Sequence, residues 1–434
     1  MPIKETKLAG KGGRVAIVDG LRTPFARIAT HLDGFNAIDL GVMVVKELMA
    51  RNNLAQEDIE QLIFGMTVMI PEAPFIGREI ALALGYDKID AYSITRACAT
   101  SFQTAATLAD NIALGYTDIG IAGGTDSTSS ARVPLSKEFS RALRDASFAK
   151  TTGDRLKALK GLKLKDVLPQ RPSITEYSVG ETMGESCEKM VKKWGVTRAE
   201  QDEIAHLSHT NAASAWADGR LDKQVMTAFV GDKATPVHED NLVRKNSKLE
   251  GYAKLKPVFD HVAGTVTAAN SSPLTDGAGA LLMMSEEKAK ALGYKPLGYI
   301  RSYAFAAKTP WDDLLMGPVL AAPQALARAG LTLADMTIID MHEAFAGQIM
   351  CNLKGMADKN YIPQYTGLKP LGEVDRSKLN VNGGSIAYGH PFGATGARII
   401  SQTLYELQRR GGGHALTTAC AAGGLGVAMV LEAE

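Results

Sequence analysis

Short apolar runs alternate with longer amphipathic stretches along the chain. "RVAIVDG", from Arg14, and "IGIAGG", from Ile119, are apolar runs of strand length with little polar alternation, the pattern of strands covered on both faces. "NAIDLGVMVVKELMARNNL", from Asn36, instead repeats its apolar residues at three- and four-residue spacing, which predicts a helix with one buried face. Strand and helix signals in alternation predict an α/β architecture with buried sheets.

The pattern recurs at domain scale. "LAQEDIEQLIFGM", from Leu54, and "LTLADMTIIDM", from Leu331, each place an Asp in a helix start ahead of an apolar strand. Further on, "RACATSFQTAATLADNIALGYTDIGIAGG" runs as turn, helix, glycine and strand. "YGHPFGATGARIISQTLYELQRRGGGHALTTAC" runs the same way, with His390 in the place of Cys98. Two similar α/β halves are expected, each presenting one reactive side chain at a helix start. The first half spans residues 1–128 and is completed by 262–295, the second spans 296–434, and the charge-rich stretch 129–261 reads as an inserted loop domain.

Length and composition add limits. A chain of 434 residues suggests two or three domains. Glycine is the one compositional departure, 43 residues or about 10% against a usual ~7%, which signals tight turns or close approach of backbone to a ligand. A net charge of +1 gives no electrostatic case for a nucleic-acid partner. The four cysteines, Cys98, Cys187, Cys351 and Cys420, are widely spread without a CxxC pair, so neither a disulfide framework nor a zinc site is expected and a reducing compartment is. No apolar signal core, spanning segment or C-terminal retention signal stands out. A soluble cytoplasmic protein is expected.

Three residues carry candidate chemistry. Cys98, in "TRACATS", heads a helical pattern, where unpaired N–H groups and the positive dipole end favour a thiolate. A shift from ~8.5 to near 7 is worth about 2 kcal/mol. Taken alone, such a cysteine reads first as a small buried hydrophobe. His390, in "GHPFGATG", begins the matching element, with glycines at 389, 393 and 396 for close approach and Pro391 fixing the helix start. It is placed to take a proton from a thiol across the interface of the halves. Cys420, in "TTACAAGGLG", follows a strand run and opens a glycine-rich turn that fits no nucleotide-loop motif. A second thiol facing the first suits acid–base work better than nucleophilic attack. "HEAFA", from His342, lacks the second histidine of HExxH because position 346 is alanine, so no metal is expected. His206 and His209, on the predicted helix "TRAEQDEIAHLSHTNAASAWADG", read as packing or surface residues.

"RACATS", "VTAANSSPLTDGAGA", "HEAFA", "GHPFGATG" and "CAAGGLG", in this order and spacing, resemble the thiolase superfamily from about residue 14 to the last strand. More narrowly, with "RLKALKGLKLKDVLP" and "ETMGESCEKM", the chain resembles the thiolase β subunits of bacterial fatty-acid-oxidation complexes and of the mitochondrial trifunctional assembly. The resemblance implies an α/β/α/β/α layered thiolase fold and thiolytic cleavage of 3-ketoacyl-CoA. It implies Cys98 as the acylated nucleophile, His390 as its base and Cys420 as the second catalytic cysteine. His342 would hold a water near the substrate oxygen where many thiolases have asparagine. The N–H groups of Cys98 and Ala422 would form an oxyanion hole, although Ala422 departs from the CxGGG of many relatives. Ser272 would lie beside the pantetheine arm and Met183 in a segment covering coenzyme A.

No bound cofactor is implied, with coenzyme A as a substrate. A homodimer joined to an α subunit bearing hydratase and 3-hydroxyacyl-CoA dehydrogenase activities is. A biosynthetic acetoacetyl-CoA thiolase, a decarboxylating ketoacyl synthase and a non-catalytic lipid carrier or scaffold are the other readings. Between Lys137 and Asp166 stand nine basic against four acidic residues. Leu156, Leu159, Leu162, Leu164 and Leu168 are set among them, an amphipathic pattern suited to a partner groove or to peripheral contact with an anionic membrane through residues 137–168.

Overall fold

Val15 and Ile17 point into one core while Ala16 and Val18 point into another, so the first apolar run is a strand buried on both faces. The computed structural model describes residues 3–169 and 175–434. Residues 170–174, inside the predicted loop domain, lie outside that description. Nine strands carry the architecture: β1 Gly13–Arg22, β2 Gln61–Gly65, β3 Asp90–Ser93, β4 Ile119–Asp126, β5 Thr275–Ser285, β6 Gly298–Ala307, β7 Met336–Met341, β8 Gly413–Ala421 and β9 Leu425–Ala433. They run in the order β7-β8-β9-β6-β1-β5-β4-β2-β3, with two-residue strands at Ala9–Gly10 and Ala26–Arg27 on the margin.

This order is an internal repeat. In the first half β2 is parallel to β4, which is antiparallel to β5, which is antiparallel to β1. In the second half β7 is parallel to β8, then β9 and β6 follow antiparallel. The halves join where Ala16 and Ile17 pair with Tyr299 and Gly298. β3 extends the first half beyond β2, and its counterpart in the second half is one bridge, Ile339 to Leu379. The repeated Asp signals are one-turn 3-10 segments, Gln56–Asp58 and Leu333–Asp335, in which each Asp accepts from the backbone N–H three residues earlier.

Eight helices complete the layers: α1 Ala37–Arg51, α2 Ile76–Ala83, α3 Thr100–Leu114, α4 Met183–Lys193, α5 Arg198–Ala217, α6 Gly317–Ala329, α7 Ala346–Ala357 and α8 Thr395–Arg409. Helices α3 and α8 fill the space between the inner faces of the two half-sheets. Helices α1 and α2 cover the outer face of the first half, and α4 to α7 cover that of the second. The result is the expected α/β/α/β/α layering. The two central helices meet at their first turns: Ala397 N donates to Ser101 Oγ at 2.8 Å, and a Cβ on Gly396 would lie 2.7 Å from Phe102 N. Only glycine permits that approach, and it brings the turns before α3 and α8 together.

Residues 131–175 form a compact unit of their own, separate from the body formed by 1–130 and 176–434. The unit holds helices Lys137–Phe148 and Thr152–Leu159, capped by Ser136 and Thr151, and the single turn Leu164–Val167. The stretch "RLKALKGLKLKDVL" is therefore broken: Gly161, at φ 103°, divides its leucines between two elements. Leu156, Leu164 and Leu168 are 65%, 81% and 54% exposed, leaving an uncovered apolar set among lysines.

Candidate active site

Cys98 sits in the 3-10 turn Ala97–Ala99 that leads into α3. Ala97 adopts φ 46°, a left-handed conformation that costs a residue with a Cβ roughly 1–2 kcal/mol. Surrounding bonds hold it there. Thr67 Oγ1 donates to the Ala97 carbonyl at 3.2 Å, and Asp126, the last residue of β4, accepts from Thr67 N and Val68 N. The other Asp126 oxygen accepts from Gly393 N at 2.7 Å. One buried carboxylate thus ties the Cys98 turn to the turn that carries His390.

His390 precedes α8 with Nδ1 2.7 Å from Thr395 Oγ1, and its N–H donates to Pro273 O at 3.2 Å. His342 follows β7, with its N–H donating to Thr418 O at 2.8 Å and Nδ1 2.9 Å from Ser385 Oγ. Both Nε2 atoms are buried and bond to no described residue. The two rings lie 4.1 Å apart at 40°. Cys98 Sγ and one nitrogen of each histidine fall within 4.8 Å of one another. Cys420, near the end of β8 and 1% exposed, and the N–H of Ala422 face the Cys98 sulfur, the latter as a hydrogen-bond donor. Gly423 and Gly424 follow at φ 76° and 74°, and a Cβ on Gly424 would sit 2.3 Å from Lys308 O. Gly424 therefore serves close backbone approach, whereas at Gly423 it is the positive φ alone that favours glycine.

The electrostatics correct one expectation. The helix start was expected to bring the Cys98 thiol near 7, yet burial pushes it up to about 12. Hydrogen bonds from Ala422 and from its own N–H pull it back in part, and Asp126 opposes them. Although the residue keeps some exposed surface, the desolvation of its sulfur outweighs the dipole. Burial raises Cys420 as well, with Cys98 adding to it. Burial lowers His390 to about 3, helped by Arg398, and holds His342 well below the ordinary imidazole value, helped by His390 and Arg398. At neutral pH the centre is two thiols and two uncharged imidazoles.

A second correction concerns the repeat. Aligned by the starts of α3 and α8, Cys98 matches Gly393, not His390, which stands three residues further upstream. Ser272 donates its N–H to Ala344 O at 2.9 Å, and Pro273 O accepts from His390, so this segment runs between the two histidine loops. Met183 opens α4, half-buried against the outer core of the second half. His209 is buried and accepts from Arg244 N, a packing role. Sequence patterns pass over Asp126, Ser385, Thr395 and Arg398. For Arg398 a signal exists: a charged residue at a position of α8 whose neighbours are all buried.

Residues 15–287 match the thiolase N-terminal domain family and 294–433 the thiolase C-terminal domain family. The chain belongs to the thiolase family. Among its thiolase relatives, the 3-ketoacyl-CoA thiolase of Cronobacter sakazakii is 57% identical over 98% of both chains, and one from Escherichia coli is 55% identical over the same share. Human mitochondrial 3-ketoacyl-CoA thiolase, solved in complex with CoA, superposes with TM-score 0.83 at 30% identity, covering 99% of this chain and all of that one. The acetyl-CoA acetyltransferase of Bacillus anthracis superposes with TM-score 0.83 at 30% identity, over 97% of this chain and 99% of that one. The thiolase fold alone therefore does not separate the two activities.

Proposed function

We propose that this thiolase is a degradative 3-ketoacyl-CoA thiolase, an acyltransferase that cleaves 3-ketoacyl-CoA with coenzyme A to acetyl-CoA and an acyl-CoA two carbons shorter. The observation that carries it is the convergence of Cys98, His390, His342 and Cys420, from four separated segments, on one buried neutral centre. The high identity to 3-ketoacyl-CoA thiolases supports the degradative direction over the biosynthetic one.

Cys98 gives its proton to His390 as its sulfur attacks the 3-keto carbon, and the oxyanion is held by the N–H groups of Cys98 and Ala422. Losing one such donor typically costs ~3 kcal/mol of transition-state stabilisation. The C2–C3 bond breaks, its electron pair passes to the enolate of acetyl-CoA, and Cys420 delivers its proton to C2. A high thiol value suits Cys420 as a proton donor rather than a resting anion. The entering coenzyme A returns a proton to Cys420 and takes the acyl group, and Cys98 recovers its proton from His390. Each step balances with no oxidant or reductant. His342 serves the enolate oxygen, and Ser272 and Met183 line the path of the pantetheine arm and coenzyme A.

The reading extends to a cytoplasmic homodimer joined to an α subunit with hydratase and 3-hydroxyacyl-CoA dehydrogenase activities, docked through residues 137–168. The exposed leucines among lysines support that surface, and an anionic membrane is its other candidate partner. No helix of the described residues is long and apolar enough to cross a membrane. The deciding assay is coenzyme-A-dependent cleavage of acetoacetyl-CoA and of a long-chain 3-ketoacyl-CoA. Efficient cleavage of the long substrate is expected, and activity confined to acetoacetyl-CoA would favour the biosynthetic reading. Absence of cleavage and of acyl-enzyme would favour a non-catalytic carrier.

A further inference from the structure

His342 has one ring nitrogen in the site and one turned away from it, and which of them carries the proton decides what it can do. Its Nδ1 meets Ser385 Oγ at 2.9 Å, and the same oxygen lies 2.9 Å from Arg398 Nη2. A guanidinium has donors only, so Ser385 Oγ accepts from Arg398. The hydroxyl proton is left with one acceptor among the described residues, His342 Nδ1. A neutral imidazole that accepts at Nδ1 carries its proton on Nε2. Arg398 is fully buried, with Nη1 3.9 Å from Asp340 Oδ1 and the guanidinium 5.8 Å from the Tyr388 ring centroid, and Ser385 Oγ is the one hydrogen-bond acceptor its side chain meets among the described residues. Its charge also opposes a second proton on the ring.

We propose that Ser385 and Arg398 are positioning residues that lock His342 as the Nε2–H tautomer, making it a hydrogen-bond donor to the enolate oxygen of the leaving acetyl-CoA. His390 has no such relay, because Thr395 Oγ1 meets no second donor among the described residues and its lone pairs stay open to His390 Nδ1–H. It takes the opposite tautomer and offers an Nε2 lone pair to the Cys98 proton. Two adjacent histidines thereby divide acceptor and donor work between them. The same relay argues against reading Cys98, His342 and His390 as ligands of a soft divalent cation, since the lone pair an ion needs on His342 Nε2 is occupied by a proton.

The consequence for turnover rests on the thiolase reading, whereas the tautomer itself is measured without turnover. The experiment uses the full chain labelled with 15N-histidine, the His342 signals being assigned by their loss in His342→Asn. The Nε2–H pattern is expected in the unaltered protein, and an Nδ1–H pattern would overturn the proposal even if the enzyme cleaves 3-ketoacyl-CoA normally. Ser385→Ala should release the tautomer and lower kcat about tenfold, less than loss of a donor outright, with KM changed by no more than about twofold. In a His342→Asn background, where the amide donor has no tautomer to set, Ser385→Ala should cost nothing further. Equal losses in both backgrounds would mean that Ser385 acts on the fold and not through His342.

Discussion

His342 and His390 lie with ring centroids 4.1 Å apart, one from the end of β7 and the other from the turn before α8, so the second half of the repeat brings both imidazoles to the point where the first half presents Cys98. Charge develops on the enolate oxygen only as the carbon–carbon bond breaks, so a group serving it acts on the transition state more than on bound substrate. His342→Ala is expected to lower kcat about a hundredfold and to leave KM nearly unchanged in steady-state kinetics. A raised KM at unchanged kcat would make His342 a binding residue.

The two thiols should separate cleanly. Cys98→Ser is expected to abolish acyl-enzyme formation, whereas Cys420→Ser should accept an acyl group from a simple thioester yet fail at carbon–carbon cleavage. Mass spectrometry of the protein after brief incubation reads both outcomes. An acyl group located on Cys420 would reverse the roles.

Alkylation tests the neutral centre. With the Cys98 thiol near 12 in the folded protein, the thiolate fraction rises about tenfold per pH unit through the neutral and mildly alkaline range. The rate of Cys98 modification by iodoacetamide should climb accordingly from pH 7 to 10, and a plateau already at pH 7 would indicate a preformed thiolate–imidazolium pair. The same upward shift has a sign for stability. Above the ordinary thiol value of ~8.5 the unfolded chain releases a proton that the folded one retains, so stability falls as pH rises toward the folded value. Denaturant midpoints at pH 7 and pH 10 should differ in that direction.

The broken amphipathic stretch makes a separable surface. Leu159, Leu162 and Leu164 changed together to Ser should leave cleavage of a short substrate within about twofold, since Leu159 and Leu164 are exposed and Leu162 is not fully buried. The same change should weaken co-purification with the proposed α subunit or binding to anionic vesicles. If both associations survive at physiological salt, the partner surface lies elsewhere.

Much of this protein was legible in its residues because the signals are local. Runs such as Val15–Val18 are apolar without interruption because both of their faces are covered, and that is visible without knowing what covers them. The helix at Asn36, the paired Asp-then-strand segments and the repeated turn–helix–strand units follow from spacing within a few dozen residues. Cys98 stood out among small residues at a helix start, and His390 and Cys420 among glycines, because reactive side chains break the composition around them.

What the tertiary structure alone decided is everything that depends on desolvation and on contacts between distant segments. The Cys98 thiol is raised rather than lowered, because how much water its sulfur loses is set by the packing around Ala422 and Asp126, which lie far from it in sequence. The three-residue offset of His390 from the position matching Cys98 follows from where α8 begins against α3, a packing relation that similarity of the two strings does not contain. Asp126 and Ser385 carry no local pattern that marks them. A carboxylate that accepts from Gly393 across 267 positions, or a hydroxyl held between a guanidinium and an imidazole, acquires its role only when folding removes the water that would otherwise satisfy each group.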